Sequence, residues 1–372
     1  MPDETRERAP GAVPRVYCTA FDSNYLCRGL ALWQSLRAVA AEAQLWVCCL
    51  DQSTEDVLTR LALPGVSVFG VAQVEDRYSA LLRVKATRSR IEYYFTLTPS
   101  VVRFALEEAR DAVQVTYLDA DLYFFADPEP LFQELAAAKG SVGIIAHRFP
   151  ERLKDREKYG IYNVGWLTFA RDDRGLACLD DWQRRCIDWC YARVEDGRFA
   201  DQKYLDDWPA RFAGVVPLQH KGANVALWNL DGAEVTASGG KPVINGVPLL
   251  FYHFHAITRR LPWLFRTSAG DYGERLGVGT RRLIYAPYLR AWRNVENVAR
   301  RELQAMGSAE NELPPSAIAR LRNGIAGFGS YARHIRDGEY LIAARPGSIR
   351  GVFSAASRGA NGGMRAVGIA KL

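Results

Sequence analysis

Val115-Thr-Tyr-Leu-Asp119-Ala-Asp121-Leu-Tyr-Phe-Phe125 is an apolar run interrupted by two carboxylates two positions apart. In an extended chain residues i and i+2 point the same way, so Asp119 and Asp121 are expected to converge on one small volume. Like charges repel there unless a cation lies between them, and the apolar flanks make unpaired charges costly. Hard divalent ions such as Mg²⁺ or Mn²⁺ favour carboxylate oxygens and keep open positions for phosphate oxygens. The stretch therefore predicts a metal–diphosphate site at a strand end, where open α/β sheets place ligands. The competing reading of any Asp-x-Asp is a solvated turn or helix cap. Asp127-Pro128-Glu129-Pro130 just downstream is such a case, with Asp127 an N-cap and Pro128 the first helical residue.

Outward from this stretch, apolar runs and helical stripes alternate. Strands are expected at Val16 to Phe21, Leu45 to Leu50 and Val66 to Val71, with helices at Leu26 to Val39 and Thr54 to Leu61 between them. A helix from Pro99 to Arg110 leads into the acidic pair. Beyond it, Ser141 to Ala146 and Ile161 to Phe169 read as strands, Leu176 to Val194 as a long helix, and Asp201 to Trp208 as a helix stopped by Pro209. Leu249 to Ile257 reads as a late strand. The alternation predicts an α/β protein with a nucleotide-fold sheet.

Length and composition bound the rest. A chain of 372 residues with 48% hydrophobic and 24% charged residues is ordinary for a globular protein of one large domain and an appendage. No stretch reaches the roughly 18 apolar residues of a membrane span. Residues 1–14 are polar and read as disordered, neither leader nor anchor. Seven cysteines without metal spacing predict buried free thiols and a cytoplasmic location. From Arg281 onward Lys and Arg number 15 against 6 Asp and Glu. That basic end suits the inner face of an anionic membrane or a phosphorylated acceptor, and it carries no nucleic-acid motif, so no nucleic-acid partner is expected. Arg83, Lys85, Arg88 and Arg90 read as a solvated face rather than a lid.

Five stations in order resemble a known family. They are Thr19-Ala20-Phe21-Asp22-Ser23-Asn24-Tyr25, then Asp119-Ala120-Asp121, then Tyr162-Asn163-Val164-Gly165-Trp166. Asp201-Gln202-Lys203-Tyr204-Leu205 and His253-Phe254-His255-Ala256 complete the set, the last running on to Arg259, Arg260, Pro262 and Trp263. Over about residues 15–265 the chain resembles retaining glycosyltransferases of family 8, the family of glycogenin and of lipopolysaccharide galactosyl- and glucosyltransferases. The resemblance implies a GT-A nucleotide-diphospho-sugar transferase fold, a Rossmann-like mixed sheet flanked by helices; beyond it, the Ala/Arg/Leu-rich composition from Arg281 onward predicts a helical, basic C-terminal extension. Together these readings divide the chain into residues 15–275 for the transferase domain, 276–345 for the extension and 346–372 for a flexible tail.

It further implies that Thr19, Ala20, Asp22, Asn24 and Tyr25 hold base and ribose, with Ala120 beside the donor. Asp119, Asp121 and His253 would bind Mn²⁺ or Mg²⁺, and Asp201, Gln202 and Asn163 would meet the donor sugar. By distance to Pro262, His255 is the alternative ligand. Arg259 or Arg260 would clamp the diphosphate where the family carries Lys, for here Leu261 precedes the proline. Ala256 stands in place of the family's glycine, and His220 to Asn229 is not typical of it; both mark a divergent subgroup. The implied activity is glycosyl transfer from a UDP-sugar to a glycan or lipid-linked acceptor in cell-envelope or lipopolysaccharide synthesis. Retention is expected; inversion with Asp201 as base, or nucleotide-sugar binding without turnover, are the alternatives. A sugar-nucleotide pyrophosphorylase is disfavoured because Thr19–Tyr25 contains no glycine.

Overall fold

The computed structural model describes residues 14–261, 263–305 and 334–342. The chain begins β1 (Val16–Phe21), α1 (Leu26–Val39), β2 (Gln44–Cys49), α2 (Gln52–Leu61) and β3 (Val66–Gly70). Two short helices, α3 (Val71–Arg77) and α4 (Ala80–Lys85), precede α5 (Arg90–Glu108) and β4 (Gln114–Leu118). Then come β5 (Leu122–Phe124), α6 (Glu129–Ala137), β6 (Val142–Ala146), β7 (Tyr162–Ala170) and α7 (Asp173–Asp188).

The seven-stranded sheet has order β3-β2-β1-β4-β7-β6-β8, with β8 at Val215–Leu218. Strands β3, β2, β1 and β4 run parallel, and β7 runs antiparallel between β4 and β6. The mixed α/β class and the Rossmann-like parallel half expected from the sequence are both present. One sheet face packs under α1 and α6 through Leu30, Leu36, Leu131 and Phe132, and the other under α5 and α7 through Val102, Leu106, Leu179 and Trp182.

This topology decides where function can gather. The loops after the parallel strands β1 and β4 leave at the same edge. Because β7 runs the other way, its beginning, Tyr162–Gly165, returns to that edge beside Asp119, whose amide donates to the Gly165 carbonyl at 3.1 Å. One edge therefore collects the first three stations.

Several elements differ from expectation. The α5 helix starts at Arg90, not Pro99, because Ser89 and Glu92 form a capping box there. Pro99 is accommodated inside the helix. The α7 helix is capped by Asp172 and ends at Asp188, where Trp189 turns extended. Asp201 and Gln202 precede a 3₁₀ turn, Lys203–Asp207, and Pro209 lies within the short helix α8 (Trp208–Arg211) instead of stopping one. In the first turn its missing N–H costs nothing.

A three-stranded sheet, β9 (Val235–Ser238), β10 (Lys241–Ile244) and β11 (Val247–Pro248), was not expected. Its turns, Gly239-Gly240 and Asn245-Gly246, have the positive φ that such hairpins require. The late strand is only β12 (Phe251–His253), paired with β5. Strands β13 (Thr258–Leu261) and β14 (Leu264–Arg266) follow. After α9 (Val278–Thr280) and a π-turn, α10 (Ala286–Ala305) packs on α1, and β15 (Tyr340–Ile342) pairs with β14. The segment 276–345 is thus not wholly helical, and its Val295 and Ala299 join the core around α1. Residues 1–13 and the tail 346–372 lie outside the described residues.

Candidate functional site

Asp119 and Asp121 converge, though not by an extended strand. They occupy a tight turn between β4 and β5, closed by the Leu122 amide on the Asp119 carbonyl at 3.2 Å. The Asp121 carbonyl accepts from the Phe254 amide at 2.9 Å, and His253 lies opposite Leu122 in the β5–β12 pair. Backbone pairing across 130 residues of sequence thereby delivers an imidazole to the two carboxylates. His253 Nε2 lies 3.0 Å from Asp121 Oδ1 and 3.6 Å from Asp119 Oδ2. One donor atom from each of the three falls within 4.8 Å of the others.

The electrostatics follow from burial. Burial raises the Asp119 carboxyl to about 6, with Asp121 adding to the rise and His253 opposing it. Burial also acts on Asp121, but the charge and hydrogen bond of His253 outweigh it and hold that carboxyl down at about 2. His253 is itself raised, its burial overcome by the two carboxylates. Two carboxylates and one imidazole form an oxygen-rich set of the kind that suits Mn²⁺ or Mg²⁺. Asp121 is 7% exposed and, among the described residues, has no Lys or Arg ion-pair partner. The residues fit a divalent cation. His255 is exposed and does not belong to the three-residue group; its ring meets that of His253 edge-on at 6.1 Å.

Gly165 makes room for this arrangement. A Cβ there would fall 2.9 Å from His253 Nδ1 and 2.6 Å from Asn163 Oδ1. Asn163 is held by that same oxygen, which accepts from the Gly165 amide at 3.0 Å. Its Nδ2 lies 3.2 Å from Gln202 Oε1 and 3.3 Å from His147 Nε2. Gln202 Nε2 donates in turn to the Tyr159 carbonyl at 3.0 Å. Burial lowers His147 to about 3, so its ring is neutral. With Nδ1 3.2 Å from the Ile161 carbonyl, the proton belongs on Nδ1 and Nε2 is left to accept from Asn163. Asp201 is buried nearby, raised to about 7 by burial and then by the Asp119 charge.

On the β1 side, Asp22 forms an Asx turn. Its carboxylate accepts from the Asn24 amide at 3.0 Å, from Asn24 Nδ2 at 3.1 Å and from the Tyr94 hydroxyl at 3.2 Å. Tyr25 is 41% exposed, and its hydroxyl is raised by burial of the ring's inner side and then by the charges of Asp121, Asp119 and Asp22. Thr19 is buried with an unpartnered hydroxyl, and Ala20 is partly buried behind it. Ala120 is buried within the acidic turn.

Arg259 is committed elsewhere, in an ion pair with Glu296 of α10, and Arg260 is exposed. In the Arg83–Arg90 group, Lys85 pairs with Glu75 at 2.7 Å and Arg88 lies 3.9 Å over the Tyr191 ring.

Sequence reasoning missed His147, which no local pattern marks, and the role of Trp228. The Trp228 ring meets His147 and His253 at 5.1 Å and His255 at 5.7 Å, so one indole packs against three imidazoles. Its loop is pinned by Asn229 Nδ2, which donates to the carbonyls of His147 at 2.8 Å and Asn224 at 3.0 Å. The seven cysteines are all free, and all but Cys27 are buried.

No protein-family model matches the chain. Among solved structures it resembles apo mouse xyloside xylosyltransferase 1, with 14% identity, a TM-score of 0.43, and coverage of 66% of this chain and 98% of that one. It also resembles the galactosyltransferase LgtC in complex with donor and acceptor sugar analogs, at 16% identity and TM-score 0.40 over 81% of this chain and 98% of that one. Scores of this size leave the chemistry to the side chains themselves. The uncharacterized protein YfnD of Bacillus subtilis (strain 168) is 28% identical over 282 residues, 73% of this chain and 87% of its own length. YfnF of the same organism, also uncharacterized, is 32% identical over 244 residues, 64% of this chain and 80% of its own. With a match of that strength along four fifths of the relative, the chain belongs to the YfnF family.

Proposed function

We propose that the protein is a metal-dependent GT-A glycosyltransferase that moves a sugar from a nucleoside diphosphate sugar, a UDP-sugar by the motif order, to an acceptor hydroxyl. The observation that carries this reading is the meeting of Asp119, Asp121 and His253 at the edge where the loops after β1 and β4 emerge, beside the exposed Tyr25. Open α/β sheets bind nucleotides at such an edge. A divalent cation held there would supply Lewis-acid neutralisation of the diphosphate as the anomeric bond breaks.

The chain's own residues have separable tasks. Tyr25 offers a stacking face to the base. The hydrogen-bonded row His147–Asn163–Gln202 holds two amides in fixed orientation against the donor sugar. Retention is the adopted stereochemistry, because Asp201 is 4% exposed and too enclosed to serve an acceptor as base. Its pKa of about 7 nonetheless matches general-base work and favours inversion as the second reading. NMR of the product's anomeric centre separates the two. The acceptor is read as a glycan or lipid-linked sugar of the cell envelope, with the basic C-terminal region touching an anionic membrane surface. Among the described residues no helix is long and apolar enough to cross a membrane.

The test is a donor screen by nucleotide release across UDP-, GDP- and dTDP-sugars, with Mn²⁺ and with chelator. Turnover that needs the ion and vanishes in Asp121→Asn supports the reading. Turnover indifferent to both refutes it, and binding without turnover for every donor and acceptor reduces the protein to a nucleotide-sugar-binding one.

A further inference from the structure

We infer that Arg28, in the first turn of α1, is the cation that meets the nucleotide's diphosphate. The inference rests on the proposed nucleotide-sugar reading and departs from it at one point, since Arg259 and Arg260 were to fill this role. Arg259 is already neutralised by Glu296, which also accepts from Arg300 at 3.1 Å. Arg260 is exposed.

Arg28 is placed differently. Its guanidinium lies 4.1 Å from the centre of the Tyr25 ring and 4.8 Å from that of Trp292. Nη2 donates to the Ile257 carbonyl at 2.7 Å, and Nη1 to the Asn24 carbonyl at 3.3 Å. Two aromatic rings and two carbonyls thus fix the group on both sides without cancelling its charge. Among the described residues no carboxylate forms an ion pair with it, and its other N–H groups have no protein acceptor. Ile257 lies four residues past His253, and Asn24 and Tyr25 belong to the loop after β1, so these contacts hold the guanidinium at the edge where the acidic pair gathers. A fixed, unneutralised guanidinium beside a metal-ligand set suits a group that is negative and also bridges to the metal. A diphosphate meets both conditions, and the planar fork matches its oxygens. The start of α1 adds to the same field, for this 14-residue helix has no side-chain cap and no acidic residue in its first turn.

The competing account makes Arg28 a staple joining α1, Tyr25 and α10. The two accounts differ in what they do to nucleotide selectivity. Dissociation constants would be measured calorimetrically with saturating Mn²⁺ for UDP and UMP, GDP and GMP, and dTDP and dTMP. Wild type, Arg28→Lys and Arg28→Met would be compared after their melting temperatures are recorded.

For whichever base the wild type binds, Arg28→Met should lose about 10- to 100-fold in diphosphate affinity. The monophosphate should lose much less, so the preference for diphosphate collapses. Arg28→Lys, which keeps the charge but not the fork, should fall between. If both nucleotides weaken equally, or neither changes, Arg28 is a staple and the inference is overturned while the nucleotide reading stands. If Arg28→Met does not fold, Arg28→Lys against wild type decides by the same ratio. Should wild type bind no nucleoside diphosphate at all, the inference and the proposed function fail together.

Discussion

Replacing His253 by alanine tests how the acidic pair is held when no metal is bound. Asp121 is 7% exposed, and the imidazole at 3.0 Å is its only ion-pair partner among the described residues. The fall of its carboxyl from 3.8 to about 2 is equivalent to roughly 2 kcal/mol of favourable interaction. Removing one partner of a buried pair generally costs about 3–5 kcal/mol, because the other charge is left uncompensated. A loss of about 2–5 kcal/mol is therefore expected, or roughly 3–8 °C in melting temperature for a domain this size.

The pH dependence has a definite sign. The depressed Asp121 contributes stability above its ordinary 3.8 that disappears as pH falls toward 2. The raised His253 contributes stability below its ordinary 6.5 that is lost as pH climbs through its elevated folded value. The variant's deficit should thus be greatest between about pH 4 and 6.5 and shrink on the alkaline side. Thermal melts in chelator, with exposed His255→Ala as control, read this directly. If His253→Ala and wild type melt together across that window, the imidazole is not what compensates the pair.

Three further outcomes are expected. Asp201 is a carboxyl raised from 3.8 to about 7, so the folded protein loses stability as pH rises across that span. Asp201→Asn should remove its share of the slope, leaving that of Asp119, and gain roughly 2–4 kcal/mol above pH 7 in denaturant unfolding, while turnover falls. Gly165→Ala would press a methyl to 2.9 Å from His253 Nδ1, and Mn²⁺ affinity by electron paramagnetic resonance should drop about 10- to 100-fold. Unchanged affinity would mean the ring yields without leaving the carboxylates. Trp228→Ala removes a 3% exposed indole packed on three imidazoles and should cost about 3–5 kcal/mol by calorimetry.

What the sequence made legible was set by range. The β1–α1–β2–α2–β3 run is visible because each element carries its own period, and observed ends fall within a residue or two of those read from the pattern. Asp119 and Asp121 are adjacent enough to be seen together. Their convergence was anticipated but its cause was not, since a turn, not a strand, brings them round. Strands β5 and β12 have three residues each, too few for a period, and only their mutual pairing defines them. Elsewhere a local signal was present and outweighed. Ser89-x-x-Glu92 marks the true start of α5, while Pro99 draws the eye to a later one. The Gly-Gly and Asn-Gly turns of β9–β11 were likewise readable. Arg259 looked available because Glu296, its partner, is 37 positions away.

Taken together, the placement of charge has one physical logic. Asp119 and Asp201 are raised, which costs the fold stability at neutral pH, while the neighbouring Asp121 is depressed and returns part of it through His253. A core built for stability alone would replace such groups with apolar ones of similar volume. Around them the supporting parts are rigid and close-packed: a glycine whose absent Cβ admits an imidazole, an indole against three imidazole rings, and a neutral histidine that orients an amide. Costly groups held by an inexpensive frame are what preorganised electrostatic chemistry requires, because nothing must reorient when charge develops on a ligand. The same logic underlies the proposal of Arg28 in place of Arg259 for a diphosphate: Arg259 is already paired with a carboxylate, whereas Arg28 is held by rings and carbonyls that leave its charge uncancelled.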